Sequence, residues 1–123
     1  MHSELLLDHF QNPRNPGELP PPALVVDVTN PACGDMLRLS ARVESGRIVE
    51  ARFLTRGCTA SIAASSALTE WMTGKSLAQA ATLSLADIEE AVGGLEPASK
   101  HAAVLCLDAA RQLLRKLREN RPQ

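Results

Sequence analysis

Residues 36–58, with the sequence MLRLSARVESGRIVEARFLTRGC, have the pattern of two β-strands joined by a short turn. The odd positions from 37 to 43 are apolar, and the even positions between them are polar. Because successive side chains of a strand point to opposite faces, this alternation predicts a sheet with one buried face. The sequence Glu-Ser-Gly ending at Gly46 suits a tight turn, since glycine adopts the backbone conformations that such turns require. The stretch therefore predicts an antiparallel hairpin.

The flanking sequence adds a third strand on one side and helices on the other. LVVDVT, from Leu24, has a strand pattern, whereas the apolar spacing after Cys58 is helical in TASIAASSALTEWMTG, with Gly74 as a stop. In SLADIEEAVGG, Ser84 and Asp87 have the spacing of a capping box. Strands followed by helices predict an α+β fold, a three-stranded antiparallel sheet with helices packed on one face.

A long C-terminal helix is predicted from about Ser99 to Glu119. Its apolar stripe consists of Val104, Leu105, Ala109, Leu113 and Leu117. The arginines at 111, 115 and 118 lie on a different face, which is interpreted as solvated.

The first 22 residues differ in composition from the rest. A short helical segment, ELLLDHF, precedes QNPRNPGELPPP, whose prolines prevent regular structure. We therefore predict a mobile N-terminal arm over residues 1–22 and a single domain over residues 23–123.

Composition excludes several classes of function. The 123 residues, 45% of them hydrophobic, suffice for one compact core. A net charge of −1 and 2% aromatic residues argue against nucleic-acid binding, which needs a basic surface and stacking side chains. The chain lacks a run of about 18 apolar residues, and its start, MHSELLLDHF, lacks the features of a secretory signal. The expected location is the cytoplasm, with no membrane association.

Three cysteines, Cys33, Cys58 and Cys106, cannot all pair within one chain, and none forms a CxxC motif. In a reducing compartment such thiols bind metal, carry redox chemistry or lie in the core. Glycine flanks Cys33 and Cys58, which favours loop or junction positions, whereas Cys106 has the surroundings of a core residue.

The candidate ligands stand at the ends of predicted elements. Cys33 and Asp35 lie in a loop between two strands, Cys58 lies at a strand-to-helix junction, and His101 lies at the start of the last helix. Element ends can assemble a shared site, and thiolate, imidazole and carboxylate together suit zinc or an iron–sulfur cluster.

Several stretches in this order resemble the iron–sulfur cluster assembly scaffolds of the IscU and NifU N-terminal type. They are DHFQNPRNPG, PACGDMLRLSARV and IVEARFLTRGCTASIAASSALTEWMTGKSL, and the resemblance extends from about Leu5 to Leu117. It implies an antiparallel sheet with helices on one face. It also implies a non-catalytic scaffold that receives sulfur from a cysteine desulfurase, builds a 2Fe-2S cluster on its thiolates and passes it to recipient proteins.

The resemblance also assigns individual positions. Cys33 and Cys58 match two cluster ligands, and Asp35 matches the acidic residue that keeps the cluster transferable. His101 matches the histidine before the third ligand cysteine, but this chain has Ala102 where that cysteine is expected. The preceding sequence, LEPASKH, also departs from the family's chaperone-recognition stretch, which argues against delivery through a dedicated chaperone.

Cys106 is either a relocated third ligand or a core thiol. It follows position 102 by one helical turn, about 6 Å along the axis and about 40° around it. The full candidate set for cluster, iron or zinc binding is Cys33, Asp35, Cys58, His101 and Cys106.

Two other functions stay open at this point: a zinc-containing acceptor in sulfur transfer, and an interaction module that has lost cluster binding. A monomer or a weak homodimer is expected.

Overall fold

The computed structural model describes residues 2–31 and 34–120. Its sheet is antiparallel with strand order β1-β2-β3, formed by β1 (Leu24–Thr29), β2 (Met36–Glu44) and β3 (Arg47–Arg56). The helices are α1 (Glu4–Gln11), α2 (Thr59–Met72), α3 (Leu77–Ala80), α4 (Leu85–Ala91) and α5 (Lys100–Glu119), with a 3₁₀ turn at Pro97–Ser99. The predicted α+β class and three-stranded antiparallel sheet are confirmed.

The predicted hairpin is a two-residue turn between β2 and β3. Glu44 pairs with Arg47, and Ser45 and Gly46 both have positive φ, 52° and 74°. Two positive φ values match the twist of the flanking strands. A register shift between Arg42 and the next residue marks a β-bulge in the pairing of β2 with β3.

One face of the sheet carries the core, as the alternation predicts. Leu37, Leu39 and Ala41 of β2 are each no more than 1% exposed. They belong to the same hydrophobic cluster as the buried residues of α2 and α5, which both pack on the sheet. Burying each leucine contributes about 1.5–3 kcal/mol to the free energy of unfolding.

Helix α5 has nearly the predicted bounds, but its apolar stripe differs at one residue. Val104 is 44% exposed, whereas the other four predicted members are buried. A period of 3.6 residues places Val104 on the same side as Asp108, Arg111 and Arg115, all of which are exposed. Val104 therefore belongs to the solvent face of α5.

The N-terminal segment, which was predicted to form a mobile arm, packs on the domain in this structure. Helix α1 lies against α2 and buries Leu6 and His9. The proline-rich stretch is held by backbone hydrogen bonds to β3, from the N–H of Gly17 to the carbonyl of Phe53. The N–H of Leu19 also donates to the Ser40 hydroxyl, so this segment covers part of the polar face of β2.

The capping pattern at Ser84 is confirmed, since Ser84 and Asp87 form a capping box that begins α4. Helix α3 was not predicted, and Ser76 and Gln79 form its capping box. Within residues 2–31 and 34–120, the helices are all too short or too polar to cross a bilayer.

Candidate metal centre

Three element ends converge at one edge of the domain. Asp35 immediately precedes β2, Cys58 is the N-cap of α2, and His101 is the second residue of α5. One ligand atom from each side chain lies within 4.8 Å of the other two. The structure thus brings together three of the five residues singled out from the sequence.

His101 is oriented to direct one ring nitrogen into this group. Its Nε2 lies 3.4 Å from the Cys58 Sγ and 3.4 Å from the Asp35 Oδ2. Its Nδ1 lies 3.1 Å from the carbonyl oxygen of Ala98, which can only accept a hydrogen bond. Nδ1 therefore carries the hydrogen, and in the neutral ring the Nε2 lone pair faces the site. Metal-binding histidines commonly show this arrangement, with the second nitrogen donating to a backbone carbonyl.

Asp35 is held as a buried carboxylate. Burial by itself would raise the pKa of Asp35, but several interactions outweigh it. They are hydrogen bonds from the Ser61 hydroxyl and from the backbone N–H and side chain of Cys58, together with the charge that His101 carries when its ring is protonated, and the net pKa is lowered. The side chain is 7% exposed, and the Ser61 hydroxyl donates to its Oδ2 at 2.6 Å. The oxygen donor is therefore ionised and fixed before any metal binds.

Gly57 makes room for this carboxylate. A Cβ built at Gly57 would lie 2.5 Å from the Asp35 Cγ, closer than real carbon contacts allow. Because residue 57 has no side chain, Asp35 can approach the backbone next to Cys58. The contribution of Gly57 to the site is therefore steric.

Cys106 lies outside this group, which corrects its inclusion among the candidate ligands. The thiol is fully buried, and its Sγ lies 3.9 Å from the Ser65 hydroxyl. Burial raises the pKa of Cys106 to about 12, although the Ser65 hydrogen bond opposes the shift. Cys106 lies outside the group because it stands one helical turn after position 102 in α5. Its side chain therefore contacts Ser65 of α2 rather than Ser61. Cys106 is a core residue in this structure.

Cys33 lies outside the described residues, and its role stays a prediction. Ser61 was missed by the sequence reasoning. A small hydroxyl residue one turn into a helix that begins at a ligand cysteine is the signal that would have found it, because that position faces the N-cap side chain.

The fold and the three donors define an α+β domain with a candidate metal site at one edge. The family model "NifU-like N terminal domain" matches residues 1–122. The iron-sulfur cluster assembly scaffold protein IscU 1 of Archaeoglobus fulgidus is 40% identical over 114 residues, covering 93% of this chain and 74% of that protein. The scaffold protein IscU of Azotobacter vinelandii is 42% identical over 118 residues, covering 93% and 91%.

Among solved structures, the N-terminal part of a nitrogen-fixing NifU-like protein from Brucella abortus superposes with a TM-score of 0.78. It is 16% identical, with 97% of this chain and 95% of that chain covered, and so supports the fold alone. The chain belongs to the NifU-like N-terminal domain family, and the predicted family resemblance is confirmed.

Proposed function

We propose that this protein is a scaffold that holds an iron–sulfur cluster during assembly and passes it to recipient proteins. The observation that carries the proposal is the convergence of Asp35, Cys58 and His101 within 4.8 Å in a member of this family. The scaffold role is also the one named for its relatives from Archaeoglobus fulgidus and Azotobacter vinelandii.

The donor set suits a cargo that must be released. Thiolate sulfur is the usual ligand of iron in these clusters, whereas imidazole and carboxylate are harder donors that match an iron–sulfur cluster less closely. Cys33 is the proposed fourth donor, because it stands two residues before Asp35 in the sequence. A 2Fe-2S cluster is the proposed cargo, and the protein itself carries out no catalytic step.

Access to the site supports exchange with partners. Cys58 is exposed, whereas Cys106 is buried, so Cys58 is the proposed acceptor of sulfur from a cysteine desulfurase. In that step the Cys58 thiolate attacks the outer sulfur of the desulfurase persulfide. The S–S bond breaks, and the desulfurase thiolate leaves. The role requires reduced thiols, as in the cytoplasm, and a monomer or weak homodimer leaves this edge open to partners.

A zinc-containing acceptor in sulfur transfer is the second candidate. Zinc bonds of about 2.0–2.3 Å place neighbouring tetrahedral ligands about 3.3–3.8 Å apart. The two distances of 3.4 Å from the His101 Nε2 fall within this range, so these two contacts are compatible with a single ion. Ala102, in place of the cysteine expected from the family resemblance, adds to the case for zinc.

Anaerobic reconstitution with ferrous iron, L-cysteine and a cysteine desulfurase tests the proposal. The scaffold function predicts a visible cluster absorption in the wild type and in Cys106→Ala, and its loss in Cys58→Ala. The Cys106 variant is the matched control, since it removes a thiol without touching the three donors. Tightly bound zinc with persulfide on Cys58 and no cluster would support the second candidate instead.

A further inference from the structure

Ser61 contacts two of the three donors without belonging to the group itself. It lies in the first turn of α2, three residues after Cys58, and is fully buried. Its hydroxyl donates to the Asp35 Oδ2 at 2.6 Å, and its Oγ lies 3.4 Å from the Cys58 Sγ. Because Ser61 is fully buried, its hydroxyl is not accessible to solvent.

The two contacts of Ser61 are chemically different. A serine hydroxyl has a single hydrogen, and an ionised carboxylate can only accept. The hydrogen therefore goes to Asp35, and the Oγ faces the Cys58 sulfur with a lone pair. Hydrogen bonds to a charged acceptor are the stronger kind, so the Asp35 contact decides the geometry.

From this geometry we infer that Ser61 is a positioning residue for the metal site, acting through Asp35. Its hydroxyl holds the carboxylate beside the His101 Nε2, so that oxygen, sulfur and nitrogen donors are in place before an ion arrives. The inference rests on the proposed function in one respect, namely that this site binds a metal ion. Outer hydrogen-bond partners of metal ligands typically contribute about 10- to 100-fold to metal affinity.

Ser66 provides a matched control on the same helix. It is also fully buried, but its hydroxyl accepts from the Arg14 N–H at 2.8 Å and lies 2.9 Å from the His9 Nδ1. Ser66→Ala and Ser61→Ala both remove a fully buried hydroxyl from α2. Ser66 lies on the side of α2 that faces α1, away from the three donors.

The test is a double-mutant cycle read out as Zn²⁺ affinity by competition with a chromophoric chelator. The variants are Ser61→Ala, Asp35→Ala, the double variant and Ser66→Ala, each also unfolded thermally without metal. We expect Ser61→Ala to weaken Zn²⁺ binding about tenfold or more. We expect no further effect of Ser61→Ala in the Asp35→Ala background, and wild-type affinity in Ser66→Ala.

The inference is overturned if Ser61→Ala binds Zn²⁺ as the wild type does, or if its effect persists in full without Asp35. The second result would assign Ser61 to packing or to the Cys58 sulfur. Equal losses in Ser61→Ala and Ser66→Ala would show a general stability effect and would overturn it as well. The cycle uses Zn²⁺ alone, so a failure of the wild type to build a cluster would overturn the proposed function and leave this inference standing.

Discussion

The Cys58 Sγ lies 3.4 Å from the His101 Nε2, although 43 residues separate them in the chain. This contact joins the start of α2 to the start of α5, and Asp35 joins it from the start of β2. The three described donors therefore all stand at the ends of helices or strands, whose positions are set by the core beneath them. Each of the following predictions depends on that arrangement.

Replacement of His101 tests the contact directly. His101→Ala removes the nitrogen donor while its side chain is only partly buried, so the free energy of unfolding should change little. Loss of a direct ligand should weaken Zn²⁺ binding by at least the roughly tenfold typical of an outer partner. Isothermal titration calorimetry of the metal-free protein with Zn²⁺ measures the affinity. An unchanged affinity would show that His101 is not a ligand.

The two described thiols should differ sharply in reactivity. Cys58 is exposed, whereas Cys106 is buried and has its pKa raised to about 12. Because the thiolate is the reactive form, iodoacetamide at neutral pH should modify Cys58 in the native protein and leave Cys106 unmodified until unfolding. Peptide mass spectrometry assigns the modified residue. Rapid native modification of Cys106 would show that it does not lie in the core.

Gly57→Ala should damage the site through a steric contact. The added Cβ would overlap the Asp35 carboxylate, so we expect a loss of about 1–3 kcal/mol in the free energy of unfolding together with weaker Zn²⁺ binding. The control is Gly46→Ala in the hairpin, where a Cβ meets nothing within 4 Å but φ is +74°. That variant should lose about 1–2 kcal/mol and keep wild-type affinity.

His9 should make the protein less stable in mild acid. Burial and the nearby Arg14 lower the pKa of His9, although Glu70 and Asp8 oppose this. The unfolded chain then binds a proton more readily than the folded one. The stability contribution is present above the ordinary histidine pKa of about 6.5 and is lost as the pH falls through it toward the folded value.

Chemical denaturation at several pH values between neutral and mildly acidic measures this loss. In His9→Gln, which lacks the titrating ring, the decline should be smaller than in the wild type. An equal decline in both proteins would assign the pH dependence to other groups.

The sequence predicts the elements of this fold better than the way they dock. Alternation from Leu37 to Ala41 and the capping box at Ser84 are local patterns, and both are confirmed. The docking of residues 12–22 depends on partners distant in sequence, such as the Ser40 hydroxyl that accepts from Leu19. A proline-rich segment gives no local sign of such a partner, which is why a mobile arm was predicted.

The site shows the same division between local and long-range information. Asp35, Cys58 and His101 were placed together because each stands at an element end, and the structure brings them within 4.8 Å. The sequence left Cys106 open between a ligand and a core thiol, because a rotation of about 40° per four residues hardly separates it from position 102. One turn further along the axis, the Cys106 side chain contacts Ser65 of α2, a long-range contact that the sequence does not show.

Transfer of a reconstituted cluster to an apo-ferredoxin, followed by visible circular dichroism, tests the scaffold role most directly. The account predicts that the wild type and Cys106→Ala both form a cluster and pass it to the ferredoxin, while Cys58→Ala neither forms nor passes one. A wild-type protein that binds zinc but acquires no cluster under these conditions, or a cluster that survives in Cys58→Ala and disappears in Cys106→Ala, would contradict it.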